Sequence, residues 1–84
     1  SSAYVRLETQ DFRPTNDEEL IYTHYWGNER DQYFNSQVFG FNLVTKKTTK
    51  YTDLPKSYNE AEGIFPDGEY MVIESDRHQP MEER

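Results

Sequence analysis

The sequence predicts an all-β chain: four antiparallel strands, a connector, and then the first two strands of a second, related unit. Three observations predict it. Apolar and polar residues alternate with a period of two in several short runs, as in half-buried strands. Pro66-Asp67-Gly68 is a turn with a mechanism, because Pro fixes φ, Asp bonds to nearby backbone and Gly accepts φ > 0. And the segment from Ile64 to Arg77 has a looser copy about fifty residues earlier, from Phe12 to Tyr25. Repeat units are seldom complete proteins.

The first strand is predicted over Tyr4 to Thr9, with Val5 and Leu7 on one face and Arg6 and Glu8 on the other. After an Arg13–Asp17 turn, a second strand covers Glu19 to Trp26, whose β-branched and aromatic residues oppose a helix. Residues 27–36 are polar and read as a long loop that Tyr33 and Phe34 fold back over something. Gln37 to Thr45 is the clearest strand. Its apolar residues fall on both faces, as in a strand covered on two sides, and Gly40 leaves room for a neighbouring layer. Thr45-Lys46-Lys47-Thr48 leads into a polar edge strand, Thr49 to Thr52, of the kind that resists edge-to-edge pairing. Ala61 to Phe65 and Glu69 to Glu74 then form a strand pair about Pro66-Asp67-Gly68.

Composition agrees. The 84 residues allow one small domain, and only 33% of them are hydrophobic. Mean hydropathy is -1.10, so an aliphatic core is thin. Seven Tyr, five Phe and one Trp argue against disorder and suit a pleated surface. A net charge of -7 argues against nucleic acid, and Lys46, Lys47 and Lys50 read as a solvated hairpin tip. With no cysteine, disulfides, thiolate metal sites and cysteine nucleophiles are excluded. No apolar run approaches the roughly 20 residues of a membrane span. Ser1-Ser2-Ala3 lacks signal-peptide character, and the chain is expected to be cut from something longer.

Four strands followed by two match a propeller blade, four-stranded and repeated every 40–45 residues or so, with the 27–36 excursion lengthening the repeat. Residues 1–59 would be the first blade, and 60–84 the start of a second with a C-terminal tail. The motifs Phe65-Pro66-Asp67-Gly68 and Ser75-Asp76-Arg77, with the strand Gln37-Val38-Phe39-Gly40-Phe41-Asn42-Leu43, resemble the WD40-like repeat of TolB-type β-propellers. Phe65 stands where that family usually has Ser, and Ile64 where it has Phe. The first copy departs further, with Pro14 followed by Thr15-Asn16-Asp17-Glu18 in place of Asp-Gly. The resemblance implies a bacterial, periplasmic or extracellular setting. One and a half blades cannot close a ring of four to eight, so the partners expected are the rest of a propeller or further copies of the chain.

Candidate chemistry is sparse. His24-Tyr25-Trp26 would form a ligand platform for a saccharide or peptide; alternatively Tyr25 and Trp26 pack between blades and His24 meets solvent. His78 is a candidate ligand for a divalent metal, since oligogalacturonate lyases, propellers with related repeats, use a His-rich manganese site; no other cofactor is implied. Asp76 and Arg77 are expected to tie the blade turn by a charge-assisted hydrogen bond. Asp17, Glu18 and Glu19 lack a calcium-loop pattern and read as a solvated turn. Glu60 and Glu62 share a strand face with nothing apolar nearby to raise a pKa. The function expected is a non-catalytic binding segment for a saccharide or protein partner. The alternative is part of a propeller lyase or hydrolase whose catalytic residues lie mostly elsewhere.

Overall fold

The computed structural model describes residues 4–13, 16–27 and 35–77, and within these the side chains of 4–6, 16 and 17 are left aside. Six strands form two antiparallel sheets. β1 (Tyr4–Arg13), β2 (Asn16–Gly27), β3 (Ser36–Asn42) and β4 (Thr48–Lys50) make a four-stranded meander in sequence order. β5 (Asn59–Ile64) and β6 (Met71–Ser75) make a separate hairpin. The all-β, antiparallel expectation holds. The described residues do not themselves close a ring.

Period-two alternation sorts β2 into two faces. Glu19, Ile21, Thr23 and Tyr25 are buried, whereas Leu20, Tyr22, His24 and Trp26 are half-buried. The hairpin lies over the first set. Ile21, Val38 and Ala61 form the buried core, and Ile64, Met71 and Ile73 pack against it. Burying Ile21 and Val38 completely stabilises the fold by about 1.5–3 kcal/mol each. That core draws on both sides of the 59/60 boundary, so the two segments fold onto one another. At the junction, the Ala61 backbone N–H donates to Thr23 Oγ1 at 3.1 Å.

With so few apolar groups, polar side chains do much of the joining. Asn59 Nδ2 donates to the Ser36 carbonyl at 3.0 Å and to Ser57 Oγ at 3.2 Å, and its backbone N–H donates to Ser36 Oγ at 2.8 Å. Ser75 Oγ donates to Asn59 Oδ1 at 2.6 Å. Gln37 Nε2 donates to the Leu54 carbonyl at 2.7 Å, and Thr52 Oγ1 accepts from the Val38 N–H at 2.9 Å. Buried polar groups are tolerated when paired, and these pairs fasten the 51–58 connector to β3.

Several expectations are corrected. β1 runs on to Arg13, with a register shift between Thr9 and Asp11, and β2 starts at Asn16. Pro14 and Thr15, with most of the 27–36 loop, lie outside the described residues. β3 stops at Asn42, leaving Leu43 and Val44 exposed. The cause is a local turn: Asn42 Oδ1 accepts from the N–H groups of Val44 and Thr45, and Lys46 adopts φ 64°. β4 is Thr48–Lys50, because Thr52 spends its hydroxyl on Val38. β5 starts two residues earlier than expected and β6 two residues later. Finally, β3 is covered on both faces only at its start, where Ser36, Gln37 and Val38 are all buried; beyond it Phe39 and Phe41 stay half-buried.

Candidate functional site

The face of the sheet away from the hairpin is the surface with the most unusual chemistry. Cross-strand register aligns three rows on it: Leu7–His24–Gln37, Thr9–Tyr22–Phe39–Lys50 and Phe12–Leu20–Phe41–Thr48. These rows contain no carboxylate, in a chain with sixteen acidic residues. Their charge comes from Lys50, whose Nζ sits 5.9 Å from the Phe39 ring centroid, within cation–π range. Tyr22 and Phe39 stack at 5.7 Å, and His24 meets the rings of Trp26 and Phe39 at 5.6 and 5.8 Å. Leu7, Thr9, Leu20, Tyr22 and Phe41 line a groove of about 220 Å³, and Leu7 is 60% exposed.

The structure divides the expected His24-Tyr25-Trp26 platform. Consecutive strand residues point to opposite faces, so His24 and Trp26 lie on the open face and Tyr25 on the covered one, wholly buried. Tyr25 cannot stack on a ligand there. Its hydroxyl donates to Glu60, as does that of Tyr58. Burial first, and the bond to Glu60 second, hold the Tyr25 phenol well above its ordinary pKa. Tyr58 is raised for the same reasons. Both are therefore neutral hydrogen-bond donors at physiological pH.

The outer face of the hairpin is the electrostatic opposite. Glu60 pairs with Glu74 across β5 and β6, and Glu62 sits at a register shift beside them. Their carboxylate oxygens lie within 4.8 Å of one another. The hydrogen bond and charge of Glu60 push Glu62 up to about 7, so the perturbation comes from neighbouring acids and needs no apolar surroundings. Glu62 is exposed, as an outward strand face implies; what the sequence did not show is the third acid, Glu74, brought beside the pair. Three such carboxylates could ligate a divalent cation, with oxygen donors of the kind hard cations prefer. His78, the metal candidate from the sequence, lies outside the described residues.

The repeat motif has a structural part to play. Phe65-Pro66-Asp67-Gly68 forms the hairpin turn: the Gly68 N–H donates to the Phe65 carbonyl at 2.9 Å, and Gly68 has φ 72°, a conformation suited to glycine. Arg13 fixes that turn to the sheet through the Gly68 carbonyl, while its Nη1 donates to Glu19 at 2.9 Å. Glu19 is thus no solvated turn residue; it is 6% exposed and also accepts from the Tyr51 hydroxyl at 2.5 Å. A cleft of about 280 Å³ opens at this end, with Ile21, Ile64, Met71 and Ile73 inside and Arg13 and Tyr51 at the polar side. Asp76 accepts from Ser57 Oγ at 2.7 Å and the Tyr58 N–H at 3.1 Å, so it anchors the connector. Ser75 Oγ accepts from the Arg77 N–H at 3.1 Å.

Tyr22, Phe39 and Phe41 were not singled out from the sequence, although the alternation that groups them with His24 and Trp26 is visible there. The alternation defines two faces without telling which one the hairpin covers. In comparisons with known proteins, no family model, curated protein or solved structure matches the chain.

Proposed function

We propose that this chain is a non-catalytic binding module, a propeller-type blade segment that engages a protein partner through its open aromatic face. The observation that carries the reading is the absence of carboxylates from three adjoining cross-strand rows of a chain with net charge -7. Aromatic residues with few charges are the composition of an interface centre. A protein suits this face better than a saccharide, because sugar hydroxyls call for free amides and carboxylates. The one amide in the rows, Gln37, is already bonded to Leu54, Thr52 and Asn59.

Trp26 is the only tryptophan and belongs to this face, which makes it a reporter. At micromolar protein, an anionic naphthalene-sulfonate dye is expected to bind with energy transfer from Trp26. Phe39→Ser should abolish the transfer while the β-sheet circular dichroism signal is retained, since Phe39 lies outside the core of Ile21, Val38 and Ala61. No dye binding by the wild type would overturn the reading. A Trp26 emission shift with soluble oligosaccharides, and none with dye, would move it to a saccharide.

A further inference from the structure

We propose that the occupant of the open face is a second copy of this chain, stacked so that the acidic outer face of its β5–β6 hairpin covers the aromatic face of the first. For one of its two surfaces the inference rests on the binding-face reading above.

The two surfaces complement each other in charge. One presents the Lys50 ammonium with no carboxylate in its rows; the other gathers Glu60, Glu62 and Glu74 within 4.8 Å. Glu60 receives the hydroxyls of Tyr25 and Tyr58, so Glu62 and Glu74, both exposed, are the acids that would meet Lys50. Lys50 already touches Asp53 at 3.1 Å, but Asp53 is largely exposed and such surface pairs contribute little. An incoming ammonium would also relieve the crowding that pushes Glu62 up to about 7. Between the acids, Val72 is 50% exposed and offers an apolar contact for Tyr22 and Phe39.

Shape supports the same arrangement. The described residues span 38 × 30 × 15 Å, so the open sheet face and the outer hairpin face lie on opposite sides of a thin plate, where both can be occupied at once. The contact joins two different surfaces and is therefore heterologous, so each added copy leaves one face of each kind available, generating a ring or a longer stack. A symmetric pairing of two open faces would instead bring Lys50 of each copy to a surface whose rows carry no anion.

Sedimentation of the 84-residue chain across a concentration series, at low and high salt, tests the proposal. The wild type should rise above 10.1 kDa with concentration and dissociate as salt screens the contact. Lys50→Glu, and separately Glu62→Lys with Glu74→Lys, should each weaken association about tenfold or more. Mixing the two variants should restore it, because each keeps the surface the other has lost. All three positions are exposed, and circular dichroism checks that the variants fold. A wild type that stays at 10.1 kDa to millimolar concentration would sink the idea, as would association that Glu62→Lys with Glu74→Lys leaves unchanged. Dye binding without self-association would keep the binding face and remove the second copy as its occupant.

Discussion

Arg13 donates through Nε and Nη2 to the carbonyl oxygen of Gly68, at 3.3 and 2.9 Å, across 55 positions of sequence. This contact joins the end of β1 to the turn of the β5–β6 hairpin and closes one end of the two-layer structure. The same guanidinium balances Glu19, which is almost wholly buried. Arg13→Met should therefore destabilise by about 2–3 kcal/mol, because it leaves a buried carboxylate without its cation. Urea unfolding measures the loss. Glu19→Gln in the same chain should recover part of it, and strict additivity of the two substitutions would contradict the coupling.

Gly40 faces the same group. A Cβ there would lie 2.2 Å from Glu19 Oε2 and 2.8 Å from Tyr51 Cε2. The carboxylate is the mobile end of a side chain, yet Arg13 and Tyr51 hold it in place. Gly40→Ala is expected to cost about 1–3 kcal/mol through overpacking. A thermal midpoint equal to that of the wild type would show that Glu19 moves aside freely.

Asn59 joins the hairpin to β3 and the connector at once. Asn59→Ala removes the donor to the Ser36 carbonyl and the acceptor for Ser75 Oγ. Buried groups left without partners cost about 1–3 kcal/mol each, so a loss of about 2–4 kcal/mol is expected by denaturant titration. Hydrogen exchange should quicken first in β5 and β6.

Glu62 sets a pH dependence whose sign can be worked out. Its carboxyl has the ordinary value of 4.5 in the unfolded chain and about 7 in the folded one. The folded state then binds more protons between those values, so stability falls as pH rises from about 4.5 to about 7. Glu62→Gln should flatten this decline and exceed the wild type in thermal midpoint above pH 7. An unchanged pH profile in the variant would exclude Glu62 as its source.

At high pH the tyrosines act in the same direction. Burial, followed by the bond to Glu19, pushes Tyr51 up to about 12, and Tyr25 and Tyr58 are raised as well. Unfolded tyrosines ionise near 10, so stability should drop as pH climbs above 10. Absorbance at 295 nm should then show a phenolate step that coincides with loss of the β-sheet circular dichroism signal.

Much of the architecture was legible in the sequence because it depends on local rules. Alternation in Leu20–Trp26 and Gln37–Phe41 sufficed for strands, and Pro66-Asp67-Gly68 for the hairpin turn. Boundaries failed where a side chain competed for backbone. Asn42 stopped β3 early, and Thr52 replaced a strand bond with its hydroxyl. Asx and hydroxyl turns draw on residues that are also common in strands and loops, so the letters alone did not separate the cases.

The sequence by itself determined an antiparallel β protein with a thin core, a tight hairpin turn and aromatic residues in period-two rows. Those properties follow from side-chain alternation and from the backbone preferences of Pro, Asp and Gly. Only the tertiary structure decided which face of the sheet the hairpin covers. That choice buried Tyr25, left His24 and Trp26 on the open side, set Arg13 against Gly68, and collected Glu60, Glu62 and Glu74 into one acidic surface. The physical reason is that a strand pattern is symmetric between its two faces until long-range packing breaks the symmetry. Here Ala61, Ile64, Met71 and Ile73 broke it by packing on Ile21 and Val38.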